Sequence, residues 1–207
     1  MKNKAQTLQK RDRDKTAGAI LSSATTLFLE HGYAAVSLSL IAKQAGVTKS
    51  LLHHYFGDKQ GLWRAVKDAS VASYAEQQRA LFSANPGNPA EDISSSIAAY
   101  FSFLQKHPEV ARLFALESFE SDYKPSATEQ ELQAKGIAFI HDLQKRKVLR
   151  GDIDADMVLA VFSALTEHWF ISRDRVAKLN NTKTGKALDA RYFEAASTVF
   201  EAGIQIQ

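Results

Sequence analysis

The sequence predicts an all-α protein of about nine helices, a small three-helix head followed by a larger helical bundle. Three observations predict it. Apolar residues recur at three- and four-residue spacing in segment after segment. No segment alternates in the two-residue rhythm of a strand. Proline and clusters such as Gly57-Asp58, Asn85-Pro86-Gly87 and Gly151-Asp152 fall between the periodic stretches.

Residues 1–13 are polar and basic and are expected to form a disordered tail. From about Asp14 to His31, Ile20, Ala24, Leu27 and Phe28 mark an amphipathic helix, and Gly32 is a natural stop. Ser37 caps a short helix to about Ala45, and Thr48 caps another to about Tyr55. Asp58, after Gly57, can cap a long helix from Lys59 to about Phe82, with Leu62, Val66, Ala69 and Ala72 or Ser73 along one face. The stretch Asn85-Pro86-Gly87-Asn88-Pro89 reads as a linker. A helix with Ile93, Ile97, Tyr100, Phe101 and Leu104 follows, and His107-Pro108 divides it from the next, which carries Val110, Leu113, Phe114 and Glu117. Three further helices are expected at about 128–147, 155–179 and 187–203.

A chain of 207 residues is ample for a substantial core. The absence of cysteine removes disulfides, thiolate nucleophiles and Cys-type zinc sites. No apolar run approaches the roughly 20 residues that span a bilayer. The N-terminal stretch has no signal-peptide core, so a cytoplasmic protein without a membrane partner is expected. Positive charge is concentrated: residues 1–64 hold ten Lys/Arg against four Asp/Glu, while residues 65–207 hold sixteen against nineteen. A cationic head on a near-neutral body is the footprint of a polyanion-binding module.

That head contains SLSLIAKQAGVTKSLLHHYFGDKQGL, from Ser37 to Leu62. Ile41, Ala42, Val47, Leu51 and Leu52 are spaced for a small shared core, and Gly46 sits where a tight turn needs positive φ. This is a helix-turn-helix pattern, whose second helix can lie in the major groove of DNA. With Leu51, Leu52 and Phe56 facing inward, Thr48, Lys49, Ser50, His53 and His54 are left as the polar side. Lys49 can reach guanine or phosphate; the hydroxyls of Thr48 and Ser50 can reach phosphate or a base edge. Ser37 and Lys59 start flanking helices, where backbone N–H groups favour a phosphate oxygen. His53 and His54 are adjacent, so they do not face each other and do not form a metal pair.

Residues 14–66 resemble the N-terminal domain of the TetR family of bacterial transcriptional regulators. The resemblance is carried by Phe28, Gly32, Tyr33, Ser37, Ile41-Ala42, Ala45-Gly46-Val47, Lys49, Tyr55-Phe56, Lys59 and Leu62. It implies a DNA-binding domain over residues 14–60, with Tyr55 joining Ser37 and Lys59 on the DNA backbone. It also implies a ligand-binding and dimerisation domain over residues 61–207, with the long helix after Lys59 joining the two. The implied function is a ligand-responsive regulator, most simply a repressor. It would grip a pseudo-palindromic operator in double-stranded DNA as a homodimer and be released by an unknown small-molecule effector. One departure is His53, where the family commonly has Tyr; imidazole can donate to phosphate, with a charge that varies near neutral pH.

In the C-terminal region, Tyr74, Phe101, Phe114, Glu117, Phe139 and Trp169 are candidate effector-contacting residues, with Arg112, His141, Glu167 and His168 as further polar lining. Taken singly, each of these aromatics reads more readily as core than as a ligand contact. Val158, Val161, Phe162 and Leu165 form one stripe, and Tyr192, Ala196 and Val199 another. Two copies of this helix pair would make a four-helix bundle across a twofold axis. No Gly-rich phosphate loop, His-Glu-x-x-His or Gly-x-Ser-x-Gly is present. No catalytic residue, metal site or cofactor is therefore expected, and the protein is not read as an enzyme. The alternative is an architectural or nucleoid-associated DNA-binding protein without a small-molecule ligand.

Overall fold

The computed structural model describes residues 2–83, 89–119 and 124–205, with side chains from residue 11 onward except at 73, 77, 80–83 and 89–92. Its helices are α1 (Lys2–Ala35), α2 (Leu38–Ala45), α3 (Lys49–Phe56), α4 (Lys59–Ser83), α5 (Pro89–Lys106), α6 (Pro108–Glu117), α7 (Ala127–Lys145), α8 (Ala155–Leu179) and α9 (Lys186–Ile204). Among the described residues the only β pairing is an isolated bridge between Leu149 and Gln205. The expected linker lies outside the described residues from Asn85 to Asn88.

Contacts divide the chain into two compact units. The first comprises residues 1–71 and 116–126; the second comprises residues 72–115 and 127–207. α1 runs back to Lys2, through the stretch expected to be a disordered tail. Residues 2–15 contain neither Gly nor Pro and are rich in Lys, Gln and Arg, so local propensity favours helix even without an apolar face. The helix breaks at Gly32, whose φ of 78° and ψ of 161° no helical residue adopts.

In the first unit, Ile20, Phe28, Ile41, Leu52, Leu62 and Val66 are completely buried. Each such side chain contributes about 1.5–3 kcal/mol relative to exposure. Trp63 meets Phe28 edge-on at 4.9 Å between centroids and lies 5.3 Å from Tyr33, which fastens α4 to the end of α1. The α4 face expected through Ala69 and Ala72 is solvent-exposed; Lys67, Val71, Ala75 and Gln78 are the buried positions. Two of those four are polar, so apolar spacing alone places the stripe on the wrong side after Val66.

The second unit is centred on Ile93 and Ile97 of α5, Ile140 and Leu143 of α7, Ala155 and Val158 of α8, and Phe200 and Ile204 of α9. Asp189, only 2% exposed, ties α9 to two other helices. It accepts from Trp169 Nε1 at 2.9 Å and Arg173 at 3.0 Å on α8, and from Gln105 at 3.2 Å on α5. A buried carboxylate is tolerable because a cation and two further donors compensate it.

Candidate nucleic-acid interface

Hydrogen bonds at three successive helix starts fix the geometry of the head. The Ser37 hydroxyl accepts from Leu40 N at 3.1 Å, capping α2. The Thr48 hydroxyl accepts from Leu51 N at 3.1 Å, capping α3. Asp58 Oδ1 accepts from Gly61 N at 2.7 Å, capping α4. In both hydroxyl caps the oxygen accepts, so the O–H proton remains free to donate outward. Gly46 turns α2 into α3 with φ 67° and ψ 30°, the left-handed conformation that closes a helix.

This turn leaves Thr48, Lys49, Ser50, His53 and His54 exposed while Leu52 is completely buried and Leu51 and Phe56 are half-buried. Among the described residues, no ion pair or hydrogen bond holds the Lys49 ammonium. Lys59 differs. Its ammonium donates to the Ala34 carbonyl at 3.2 Å and sits 4.3 Å over the Tyr33 ring. That arrangement packs the α4 start against the α1 end. His53 Nδ1 bonds the Gly57 carbonyl at the end of α3, so its ring is held while the residue stays exposed. Tyr55 is half-buried, with the Arg13 guanidinium 5.7 Å from its ring centre and His54 edge-on at 5.9 Å. Arg13 was not among the expected site residues, because it falls in the stretch expected to be a tail. The helical run of α1 is what brings its charge to the α3 side.

Exposed hydroxyls, an unpaired ammonium and imidazoles at the start of a short helix suit a duplex: donors for phosphate and base edges, without a carboxylate among them. Among the described residues no group of His, Asp and Glu is arranged to hold a metal ion, and no helix is long and apolar enough to cross a membrane.

The six expected effector contacts have different surroundings among the described residues. In the second unit, Tyr74 packs on Tyr100 and Phe103 at 4.9 and 5.2 Å. Phe101 instead joins Phe170 and Phe193, at 5.0 and 4.8 Å. Trp169 is 3% exposed, stacked on Tyr192 at 4.1 Å and bonded to Asp189, which makes it a fixed part of the core. Phe139 packs against the central core of α5, α7, α8 and α9, and Phe114 is half-buried. Glu117 belongs to the first unit, where it forms an ion pair with the completely buried Lys67. A buried ammonium needs a counter-charge, and Glu117 supplies one. What the second unit does assemble is a pair of tyrosines on a carboxylate: the Tyr100 hydroxyl donates to Glu167 at 2.6 Å. Burial pushes the Glu167 carboxyl upward, and burial beside that carboxylate pushes both the Tyr74 and Tyr100 hydroxyls upward.

The two expected stripes on α8 and α9 separate into inner and outer residues. Val158 is 4% exposed within its own unit, and Phe162 packs on Tyr100 and Phe200, so these two face inward. Leu165 and Ala196 are half-buried, and the Tyr192 hydroxyl donates to the Leu165 carbonyl at 2.7 Å. Val161 and Val199 are 52% and 72% exposed, and Met157 and Ile171 of α8 share that outward character. Residues 157, 161, 164, 168 and 171 follow helical spacing; the outer stripe is the expected one rotated by about one residue.

Residues 20–66 match the family described as "Bacterial regulatory proteins, tetR family". Among curated proteins, the chain is 28% identical to the HTH-type transcriptional repressor SCO4008 of Streptomyces coelicolor, over 78% of this chain and 81% of that protein. It is 29% identical to the HTH-type transcriptional activator FasR of Mycolicibacterium smegmatis, over 59% of this chain and about half (52%) of that one. A TetR family transcription regulator from Marinobacter aquaeolei superposes with a TM-score of 0.75, covering 96% of this chain and 100% of that chain at 17% identity, a likeness of fold. The helix-turn-helix signature and the family match over residues 20–66 agree with the whole-chain likeness of fold, so the N-terminal domain of this chain is similar to that of the TetR family of bacterial transcriptional regulators.

Proposed function

We propose that this regulator is a homodimeric, ligand-responsive repressor in the cytoplasm, holding a pseudo-palindromic operator until a small molecule releases it. Residues 14–60 form its DNA-binding domain, and the chain from residue 61 binds the effector and the second subunit. The observation that carries the reading is the start of α3, where Thr48, Lys49 and Ser50 are exposed on a helix whose other side is locked by Leu52. Thr48, Lys49, Ser50, His53 and His54 meet the major groove, while Ser37, Tyr55 and Lys59 hold the backbone, with Arg13 adding a cation beside Tyr55.

For the dimer, the support is an outward apolar strip of Met157, Val161, Ile171 and Val199, which two copies would bury around a twofold axis. That pairing would also set two α3 helices about 34–36 Å apart, the spacing of successive major grooves. A released ligand must bind the DNA-free arrangement better, by typically 1–3 kcal/mol of coupling.

The deciding measurement is fluorescence anisotropy with an operator selected from genomic fragments, set against random duplex. Lys49→Ala should weaken operator binding by about 1–3 kcal/mol and shrink the margin over random DNA. Equal binding of both duplexes by wild type and variant would remove the assignment of α3 as the reading helix.

A further inference from the structure

The second unit contains an unfinished polar site. On α4, Gln78 lies one turn beyond Tyr74, on the same helix face. Gln78 is 3% exposed, yet its amide nitrogen has no hydrogen-bond partner in the structure. Buried polar groups are nearly always paired, and an orphaned donor is a cost that folding alone does not recover. From α8, Glu167 accepts from the Tyr100 hydroxyl, and among the described residues no Lys, Arg or His forms an ion pair with it. Its charge is felt by the Tyr74 hydroxyl as well. Further rings pack on the two tyrosines beside this carboxylate. Tyr74 stacks on Phe103 at 5.2 Å and lies 4.9 Å from Tyr100, and Phe162 lies 5.6 Å from Tyr100. Tyr74 and Glu167 both keep a partly exposed surface.

A largely buried carboxylate beside two tyrosines and the rings that pack on them, with no counter-cation of its own, is the chemistry that recognises a cation on an apolar body. Ring faces carry negative electrostatic potential, and the carboxylate adds a full charge. The contrast with Asp189 in the same unit is direct, since that carboxylate has Arg173. Asp189 is finished within the fold; Glu167 is not.

We propose that Tyr74, Gln78, Tyr100, Phe103, Phe162 and Glu167 form the effector site, and that the effector is a lipophilic organic cation, an ammonium, guanidinium or phosphonium centre on an aromatic or apolar body. Glu167 supplies the counter-charge, the rings supply the cage, and Gln78 donates to whatever acceptor the molecule carries. This rests on the ligand-responsive reading above.

Tetraphenylphosphonium and tetraphenylborate have nearly the same shape and opposite charge, so they isolate the electrostatic part. Calorimetry on the full chain should show the phosphonium binding at least about tenfold tighter than the borate. Glu167→Gln should lose about tenfold of that affinity while keeping the far-ultraviolet dichroism of wild type. Glu167→Asp, which keeps the charge, should retain the preference for phosphonium over borate. The inference is overturned if borate binds as well as phosphonium or if Glu167→Gln leaves phosphonium affinity unchanged. It is also overturned if neither the phosphonium, a benzyl quaternary ammonium nor an aryl guanidinium binds at millimolar concentration. Operator anisotropy in the same samples separates the two readings. A cation that binds through Glu167 without moving operator affinity sinks the ligand-response reading alone. A neutral or anionic compound that releases operator equally from wild type and Glu167→Gln sinks the cation inference alone.

Discussion

The Gly57 carbonyl can only accept, so the proton of that hydrogen bond sits on His53 Nδ1. In the neutral ring Nε2 is then a lone pair, which repels a phosphate oxygen; only the imidazolium can keep Gly57 and donate from Nε2. His53→Gln should therefore weaken operator binding by about 1 kcal/mol, read by anisotropy at fixed pH and salt; unchanged affinity would dismiss His53 as a phosphate contact. Glu167 makes the second residue-scale prediction. Burial lifts its carboxyl above the ordinary value of 4.5, against a smaller downward pull from the Tyr100 hydroxyl. The folded chain therefore binds this proton more tightly than the unfolded chain. Stability from it is fully present below the ordinary value and is lost as pH rises through the raised one. Glu167→Gln should raise Tm by about 2–4 °C at pH 7.5 and leave it unmoved near pH 4. A variant less stable than wild type at pH 7.5 would mean that the ionised carboxylate is compensated by something other than Tyr100. A site kept for a ligand at the expense of stability is what such a gain would signal.

Among the elements, the junction between α3 and α4 has the least freedom. A Cβ on Gly61 would sit 2.1 Å from the Phe56 carbonyl oxygen, a backbone atom fixed at the end of α3. Gly61→Ala must push the two helices apart and should cost about 2–3 kcal/mol, read as a lowered denaturation midpoint, with operator binding falling further than stability does. An unchanged midpoint would show that the junction yields without strain. The sequence makes the caps of this region legible, because Ser37, Thr48 and Asp58 are residue types that bond the backbone three positions on. It also marks the helix break at Gly32 and the limits of α8, where Gly, Asp and Asn leave few alternatives. The face of α4 is not legible. Lys67 and Gln78 are buried polar residues, and the burial of Lys67 goes with Glu117, fifty residues away, rather than with helical spacing. Glu167 is visible as a polar residue in an apolar helix, but nothing in the chain's local pattern pairs it with Tyr100. Trp169 illustrates the reverse error, an aromatic that looks available for a ligand until Asp189 and Tyr192 are seen to hold it.

At the scale of the whole molecule, charge and symmetry act together. The cationic surplus lies in the first 64 residues, so two copies double the attraction for a duplex wherever the pairing surface lies. The outward strip of α8 and α9 is the surface the monomer leaves apolar, with Val199 72% and Val161 52% exposed. In a twofold interface each residue is met by the same patch of the partner, so one substitution places two charges in the buried centre. Val161→Asp combined with Val199→Asp should therefore halve the sedimenting mass at micromolar concentration, with helical content unchanged. If both heads of the dimer grip one operator, the monomer keeps only the affinity of one head, a loss of about 10²-fold or more, since the second contact is no longer intramolecular. The salt dependence should fall with it, because fewer phosphates are neutralised per bound particle. A double variant that still sediments as a dimer would place the twofold axis elsewhere. A monomeric variant with undiminished operator affinity would mean that the heads bind independently, leaving the palindrome without a role in recognition.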